Sequence, residues 1–255
     1  MADPNFSVIA VPDIPMIQNG DMLTTIITES IRKANIKLED GDVICIAQKI
    51  VSKAEGRLIS LGEITPTKEA ILVAEETEKD PRLVQLILDE STELVRKRPG
   101  IMIMRHRLGL VGAHAGIDQS NIDHSSDESA LLLPLDPDKS AFDLKNKIER
   151  LESVNIGVII TDSTNRPWRL GTIGTAIGSA GIQVLTDHRG GKDLYGRELK
   201  VTLINRADAL AGAATLAMGE TTERTPVVII RGLKPENSSD NAKMINRPIE
   251  EDLFR

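Results

Sequence analysis

The stretch Ile156-Gly157-Val158-Ile159-Ile160-Thr161-Asp162-Ser163-Thr164-Asn165-Arg166-Pro167-Trp168-Arg169 runs from an apolar segment into a polar cluster. Its first five residues are glycine or apolar, and mostly β-branched, which predicts a buried strand. An acid, hydroxyls, an amide and two arginines follow around the only tryptophan of the chain. A strand that ends near Asp162 would hold this carboxylate rigidly beside the core, as metal and phosphate sites require. The alternative is an ordinary Asx-type turn followed by Pro167.

The chain has 255 residues, which is enough for a single domain, 1–255, or for two lobes. With 40% hydrophobic residues and a mean hydropathy of -0.13, its composition is that of a soluble protein. Only 2% of the residues are aromatic, so aliphatic side chains and methionine must form the core. A net charge of -7 argues against nucleic-acid or membrane partners, although local lysine and arginine clusters can still bind small anions. Residues 234–255 are expected to form a polar C-terminal tail.

The chain contains one cysteine, Cys45, inside the strand-like run Val43-Ile44-Cys45-Ile46-Ala47. An intrachain disulfide is therefore impossible, and a thiolate zinc site is not expected. No segment is typical of a signal peptide, and no apolar run approaches the about 18 residues of a membrane helix. These features predict a protein of the reducing cytoplasm. Cys45 also has no evident base nearby in the sequence, and a G-x-S-x-G elbow is absent, so covalent catalysis is not supported.

Periodicity and capping residues predict a mixed α/β (α+β) fold. Strands are predicted at residues 7–11, 42–47, 100–104, 109–111, 156–160 and 226–231. Helices are predicted from Asp21, from Thr65 to 79, from Asp80, from Ser140 to 151 and from 205 to 218. The basic segment 105–107 is predicted to be a solvated hairpin turn.

A polar segment with two lysines, Gln48 to Gly56, follows the predicted strand at 42–47. If this segment stays extended, its period of two places Lys49, Val51 and Lys53 on one side. Two ammonium groups at that spacing suit a polyphosphate. The alternative is a solvated strand edge whose lysines only discourage aggregation.

Oxygen-bearing side chains recur at the ends of apolar elements. Asp118 and Asn121 follow the small residues of 112–116, Asp123 lies just beyond, and Glu220 follows the predicted helix that ends at 218. Together with Asp162 these oxygens indicate a hard cation, Mg²⁺ or Mn²⁺, not zinc. Among the histidines, His114 is the candidate for supporting a ligand. His106, His124 and His188 are expected at the surface.

Two glycine-rich segments do not match known nucleotide motifs. Gly171, Gly174, Gly178 and Gly181 are not spaced as G-x-G-x-x-G, and they are predicted to allow close backbone packing. Residues 190–193 lack the serine or threonine that follows the lysine of a P-loop. Any nucleotide is therefore expected to bind without a P-loop.

Five ordered motifs give the chain a family resemblance. They are Asp-Val-Ile-Cys-Ile-Ala-Gln-Lys-Ile-Val-Ser-Lys-Ala-Glu-Gly (42–56), Ala-Gly-Ile-Asp-Gln-Ser-Asn (115–121), Thr-Asp-Ser-Thr-Asn-Arg-Pro-Trp-Arg (161–169), Asp-Leu-Tyr-Gly-Arg-Glu-Leu (193–199) and Met-Gly-Glu (218–220). Together they resemble the coenzyme F420 γ-glutamyl ligase family. The resemblance implies a GTP-dependent ligase that joins L-glutamate to coenzyme F420-0 through an acyl phosphate. It also implies an intertwined homodimer of mixed α/β fold without a P-loop.

The resemblance further implies roles for single residues. Asp118 and Asp162 would hold one divalent ion, Mg²⁺ or Mn²⁺, and Ser163 and Glu220 a second, with K⁺ as a further candidate cofactor. Lys49, Lys53, Asn121 and the loop Pro12-Asp13-Ile14 would contact the nucleotide. Asp118, Asp162 and Lys53 would serve catalysis.

The chain departs from the family pattern at Asn165, where glycine is usual. Ser163 and Glu220 occupy positions at which family members vary. Two other functions remain open for the same side chains: a metal-dependent phosphohydrolase, and a regulatory module that binds a nucleotide without turnover.

Overall fold

The computed structural model describes residues 5–124 and 127–253, and it has a mixed α/β fold, as predicted. The strands are β1 Ser7–Ala10, β2 Val43–Ala47, β3 Leu58–Ser60, β4 Ser91–Arg98, β5 Ile101–His106, β6 Val111–Ala113, β7 Ser129–Leu131, β8 Gly157–Asn165, β9 Thr172–Ala180, β10 Leu185–Asp187, β11 Leu203–Asn205 and β12 Val227–Arg231. The helices are α1 Leu23–Lys33, α2 Gln48–Ala54, α3 Lys68–Thr77, α4 Pro81–Asp89, α5 Pro137–Glu152 and α6 Arg206–Met218. None of the described helices is long and apolar enough to span a membrane.

A five-stranded sheet with the order β1-β12-β2-β8-β9 forms the centre of the fold. β2 and β8 are parallel neighbours, and their register pairs Ala47 with Thr161. Parallel neighbours need a long crossover, and here residues 48–156 supply it, including a second lobe. This pairing brings the ends of the two motif-bearing strands together at one edge of the sheet.

Both faces of the central sheet are covered by helices. Ile44, Ile46, Val158 and Ile160 pack toward α1, α2 and α5, whereas Cys45, Ile159, Val228 and Ile230 pack toward α6. Because both faces are buried, these strands are continuous apolar runs and do not alternate with polar residues. This explains why the predicted strands at 42–47 and 226–231 are confirmed within one residue at each end.

The second lobe contains β4, β5 and β6, which pack against α3 and α4 around a separate apolar cluster that includes Met102 and Met104. β4 was not predicted, because its sequence Ser-Thr-Glu-Leu-Val-Arg-Lys-Arg is polar and its register with β5 is interrupted twice. The prediction of a solvated turn at 105–107 is wrong. Arg105 and His106 continue β5, and His106 is only 1% exposed, with Nε2 3.2 Å from Glu90 Oε2.

Several helix starts differ from the sequence prediction, and α1, which was predicted from Asp21, begins at Leu23 after Met22. The segment after β2, for which an extended conformation was considered, forms α2, and Lys49 and Lys53 share a face because they are one helical turn apart. α3 is capped by Thr67 and not by Thr65, since the Thr67 hydroxyl accepts a hydrogen bond from Ala70 N. α5 begins at Pro137 with Asp136 as its cap, so Ser140 lies inside the first turn.

β8 does not end at Asp162, as the sequence predicted, but continues to Asn165 alongside β9. The register passes from Ile160–Gly178 to Thr161–Ala176, which leaves Ile177 as the extra residue of a β-bulge. The burial of β8 nevertheless ends at Thr161, because the side chains beyond it are half-buried or exposed. Asp162 is therefore the first polar acid where the strand leaves the core.

Close backbone packing by the glycines of β9 is confirmed at two positions. A Cβ at Gly178 would clash with the carbonyl group of Pro137 in α5, and a Cβ at Gly174 would clash with Thr215 and the backbone of Ala211 in α6. The edge strand is thus pressed between two helices, which brings α6 and its C-terminal residues close to β8.

The C-terminal segment is attached to the sheet edge by carboxylates. Asp138 Oδ1 accepts hydrogen bonds from Ser179 N at 2.9 Å and from Ala242 N at 2.8 Å, which joins α5, β9 and the segment in one place. Glu236 bonds Arg206 at 2.7 Å, and Asp240 accepts a bond from Val184 N. Part of the C-terminal segment is therefore closely attached to the sheet edge.

Candidate functional site

A cavity of about 770 Å³ lies where β2 and β8 leave the core. It is lined by residues of the segment after β1, the start of α2, the segment 118–123, the end of β8 and the segment that follows α6. We call the side formed by Lys49, Lys53 and residues 118–121 the α2 wall. The side formed by Asp162, Ser163 and Glu220 is called the β8 wall.

The α2 wall is held together by its lysines. α2 follows β2 without a loop, so the strand fixes the position of its first turn. Lys49 Nζ lies 2.6 Å from Asp118 Oδ2 and donates to Ser120 Oγ at 2.9 Å, while Lys53 Nζ donates to Asn121 O at 2.9 Å. Burial lowers the pKa of Lys53, and the nearby charge of Lys49 lowers it further. Two cations on one helical face therefore border the cavity.

Asp118 has a fixed backbone and a charged partner. Its N–H donates to Leu131 O at 3.0 Å, and its carbonyl accepts from Leu131 N at 2.8 Å. Burial raises the pKa of this carboxyl group, but hydrogen bonds from Lys49 and from Ser120 outweigh it, so that the net shift is downward. Asp118 is therefore ionised at neutral pH.

Asp162 on the β8 wall has the opposite balance. Because side chains alternate along a strand, Asp162 points to the side of α2, whereas Thr161 contacts Met218 of α6. The pKa of Asp162 is raised to about 7, with burial as the largest cause and the negative charge of Asp118 as a second one. The backbone N–H of Ser163, the charge of Lys49 and the amide of Gln48 only partly compensate. Two carboxylates thus influence each other across the cavity, with pKa values displaced in opposite directions.

Ser163 and Glu220 form the outer part of the β8 wall. Ser163 Oγ donates to Glu220 Oε1 at 2.7 Å, and both residues are exposed. Glu220 follows Gly219, at which α6 ends as predicted. Thr225 holds the chain beyond Glu220 in place, since its hydroxyl bonds Met218 O at 2.8 Å. The end of α6 therefore carries a carboxylate to the cavity.

The donor set of the cavity suits a hard cation. It offers carboxylate and hydroxyl oxygens from Asp118, Asp162, Ser163 and Glu220, and the described lining includes no cysteine or histidine, which favours Mg²⁺ or Mn²⁺ over zinc. Among the described residues no three His, Cys, Asp or Glu side chains are grouped closely enough to form a complete site by themselves. The negative charge of Asp118 acts on Asp162. A divalent ion bound between these carboxylates would relieve their repulsion.

Eight of the sequence-predicted residues are brought together around the cavity: Lys49, Lys53, Asp118, Asn121, Asp123, Asp162, Ser163 and Glu220. The loop Pro12-Asp13-Ile14 does not line it, and the next three residues, 15–17, do so instead. His114 lies elsewhere, beside Lys79 and Gly100. The individual roles of these residues stay predictions.

Sequence reasoning missed several residues of the cavity lining, among them Gln48, Thr172, Thr215 and Arg224. Gln48 could have been found, since it is the first polar residue after the strand run 43–47. Thr172 and Thr215 have no local signal, because they are brought in by the close contact of β9 with α6.

Comparison with known proteins identifies the family. Residues 13–232 match the family described as F420-0:Gamma-glutamyl ligase. The chain belongs to the F420-0:gamma-glutamyl ligase family. It is 46% identical over 256 residues to the coenzyme F420:L-glutamate ligase of Methanopyrus kandleri, covering 99% of this chain and 98% of that protein. It is 43% identical over 243 residues to the protein of the same name from Methanocaldococcus jannaschii, covering 95% and 94% of the two chains.

A more distant relative gives the same result. The coenzyme F420:L-glutamate ligase of Archaeoglobus fulgidus is 40% identical over 248 residues, which cover 97% of this chain and 96% of that protein. The resemblance based on five motifs is thereby confirmed. The part of this F420-0:gamma-glutamyl ligase family member that matches the family contains four of the five strands of the central sheet, all but β1, together with the second lobe and every residue of both cavity walls.

Proposed function

We propose that this protein joins L-glutamate to coenzyme F420-0 through γ-linked amide bonds, in coenzyme F420 biosynthesis, with GTP as the source of activation. The observation that carries this proposal is the arrangement of one cavity in a member of this family. Two lysines on the α2 wall face two carboxylates and a hydroxyl on the β8 wall. This combination suits a polyphosphate together with the divalent cations that accompany it.

The proposed chemistry has two steps that conserve atoms and charge. A carboxylate oxygen of F420-0 attacks the γ-phosphorus of GTP, so that GDP leaves and an acyl phosphate forms. The unprotonated amine of glutamate then attacks the acyl carbon, inorganic phosphate leaves, and the amine loses a proton as the amide forms. Phosphoryl transfer of this kind depends on positioning and on neutralising charge.

The protein's own side chains have distinct tasks in this proposal. Lys49 and Lys53 bind phosphate oxygens, and Asn121 helps to fix the nucleotide. Asp118 and Asp162 would hold a first Mg²⁺ or Mn²⁺, and Ser163 and Glu220 a second. Such ions, when bound, would neutralise part of the negative charge of the phosphates. The raised pKa of Asp162 (about 7) makes this carboxylate the one most altered by a bound cation.

We also propose that the protein acts as a homodimer. Five large apolar side chains on two surface segments are at least 86% exposed: Trp168, Leu170, Leu194, Tyr195 and Val201. Large apolar side chains that are exposed in this way are typical of surfaces that contact another protein chain. Light scattering should give about twice the chain mass of 27.8 kDa. A mass of one chain would exclude the dimer and leave the ligase proposal unaffected.

The deciding experiment is mass spectrometry of F420-0 incubated with the protein, GTP, Mn²⁺ and glutamate. The expected product is heavier by one or more glutamyl units, with GDP formed in step with it. GDP release at the same rate without glutamate and F420-0, and without a heavier product, would replace the ligase with a phosphohydrolase. GTP binding with no turnover would favour the regulatory module. No observation in the structure favours either alternative.

A further inference from the structure

Gln48 is a buried amide at the boundary between the core and the cavity. It is the first residue of α2, it is 2% exposed, and it lines the cavity together with the half-buried lysines of the same helix. The parallel register ends with Ala47 beside Thr161, so Gln48 at the start of α2 and Asp162 within β8 each follow directly on this last pair. A buried amide requires partners for its oxygen and its nitrogen.

The oxygen of this amide has a partner that fixes its orientation. Ser52 lies one helical turn further along α2, is completely buried, and donates its hydroxyl hydrogen to Gln48 Oε1 at 2.9 Å. The amide NH₂ group must therefore point away from Ser52. The flipped orientation would turn the amide oxygen toward the carboxylate of Asp162, and the two acceptors would repel each other.

Gln48 Nε2 is buried and makes no hydrogen bond of ordinary geometry with any described residue. It nevertheless lies close enough to Asp162 to act on the carboxylate, because it opposes the rise in pKa that burial causes there. A buried N–H group without a well-formed hydrogen bond costs free energy of folding. An interaction with the carboxylate of Asp162 would offset this cost.

We propose that Gln48 is a positioning residue for Asp162 and that Ser52 sets its orientation. The amide N–H holds one oxygen of the Asp162 carboxylate and leaves the other directed into the cavity for a cation. The inference rests on the proposed function to the extent that Asp162 is a metal ligand. It adds two buried residues that hold that ligand in its binding rotamer.

The test is Mn²⁺ affinity of the metal-free protein, measured by calorimetry without nucleotide, together with the melting temperature. Gln48→Met keeps the length of the side chain but removes the donor, and the Mn²⁺ dissociation constant should rise about 10- to 100-fold, as it does when supporting residues of metal sites are lost. Ser52→Ala leaves the donor but frees its orientation, and the rise should be near the lower limit, about tenfold.

Thr77→Val is the matched control. Thr77 is also completely buried, and its hydroxyl also donates one helical turn back, to Val73 O at 2.7 Å, but it lies in α3 of the second lobe. This substitution should lower the melting temperature and leave the Mn²⁺ dissociation constant unchanged. A purely structural role of Gln48 and Ser52 would give the same pattern as this control.

The outcomes separate the inference from the proposed function. If wild type binds Mn²⁺ and folded Gln48→Met binds it equally well, the inference is overturned and the proposed function is unaffected. If Gln48→Met does not fold, Ser52→Ala decides, and a wild-type dissociation constant in that variant overturns the inference. If the wild-type protein binds no Mn²⁺, the metal part of the proposed function fails and the inference fails with it.

Discussion

The two walls of the cavity contain similar side chains in opposite electrostatic states. On the α2 wall Asp118 is paired with Lys49 at 2.6 Å, and its pKa is lowered. On the β8 wall Asp162 has no cation at that distance among the described residues, and burial raises its pKa to about 7. The negative charge of Asp118 on the α2 wall is therefore neutralised by Lys49 without any ligand. The β8 wall instead holds a carboxylate that a bound cation would stabilise.

This difference shows where ligand binding should act. Binding at the α2 wall must compete with contacts that already exist between the lysines and residues 118–121. Binding at the β8 wall instead removes an existing cost, because a cation offsets the burial of Asp162 and its repulsion by Asp118. Substitutions in the two walls should therefore change metal affinity and stability in different directions.

Asp162→Asn should have the largest effect. It keeps the shape of the side chain but removes the charge. Loss of a residue that only supports a metal ligand costs up to about 100-fold, and loss of the ligand itself should lower Mn²⁺ affinity and glutamate ligation by more than that. The melting temperature of the metal-free variant should be unchanged or higher, because a half-buried charge that Asp118 repels is gone. Calorimetry with Mn²⁺ and thermal melting measure both quantities. If Asp162→Asn binds Mn²⁺ and ligates glutamate as the wild type does, Asp162 has only a structural role.

A pH series should separate the two carboxylates. The folded pKa of Asp162, about 7, is higher than its ordinary value of 3.8, so the native state binds the proton more tightly than the unfolded state. The contribution of this group to stability is therefore greatest at low pH and is lost as the pH rises through about 7. A proton also competes with Mn²⁺, and apparent affinity should rise about tenfold from pH 6 to pH 8.

Asp162→Asn serves as the control for the pH series, since its dependence on pH over this range should be flat. Asp118, whose pKa is lowered, should contribute nothing to the change above pH 6. A titration of Mn²⁺ affinity that persists in Asp162→Asn would assign the effect to another group.

Lys49→Met tests the α2 wall and should have a smaller effect. The loss of a partly exposed ion pair should lower stability by about 1 kcal/mol or less. Nucleotide affinity should fall, because one of the two phosphate-binding charges is removed. Mn²⁺ affinity without nucleotide should not fall and is expected to rise, since the ammonium group no longer competes for Asp118. A loss of Mn²⁺ affinity would mean that Lys49 supports the metal site and does not compete with it.

Cys45→Ser should have the smallest effect on turnover. Cys45 is completely buried in β2, away from both walls, and burial raises the pKa of its thiol, so it is not a nucleophile at neutral pH. A buried hydroxyl without a partner should cost about 1–3 kcal/mol of stability. Denaturant unfolding and the ligase assay measure the two effects. Lost turnover in a folded variant would contradict the non-covalent chemistry.

The sequence predicts those parts of the molecule that local chemistry determines. The buried strands at 43–47 and 227–231 are evident from continuous β-branched runs, and Asn205 and Gly219 mark the two ends of α6. The lysines were placed on a common side for the wrong reason. A period of two and a helical step of four both bring Lys49 and Lys53 together, so the pattern alone does not distinguish strand from helix.

Other features depend on contacts that a local pattern does not contain. The burial of His106 requires Glu90 at the end of α4, and the polar strand β4 exists because β5 lies beside it. The orientation of Gln48 depends on Ser52 and on a strand more than a hundred residues away. These contacts form only when distant segments such as β2 and β8 pair in the folded protein, so no local sequence pattern indicates them.

The contact between β9 and α6 also limits how the sequence can vary. Gly174 has no space for a side chain, because the carbonyl of Ala211 occupies the position of a Cβ, whereas a Cβ at Gly212 on the helix itself would meet nothing closer than 3.7 Å. A saturation library should therefore tolerate alanine at Gly212, where it also favours the helix, and reject every replacement at Gly174. Two glycines in one contact would thus accumulate changes at very different rates.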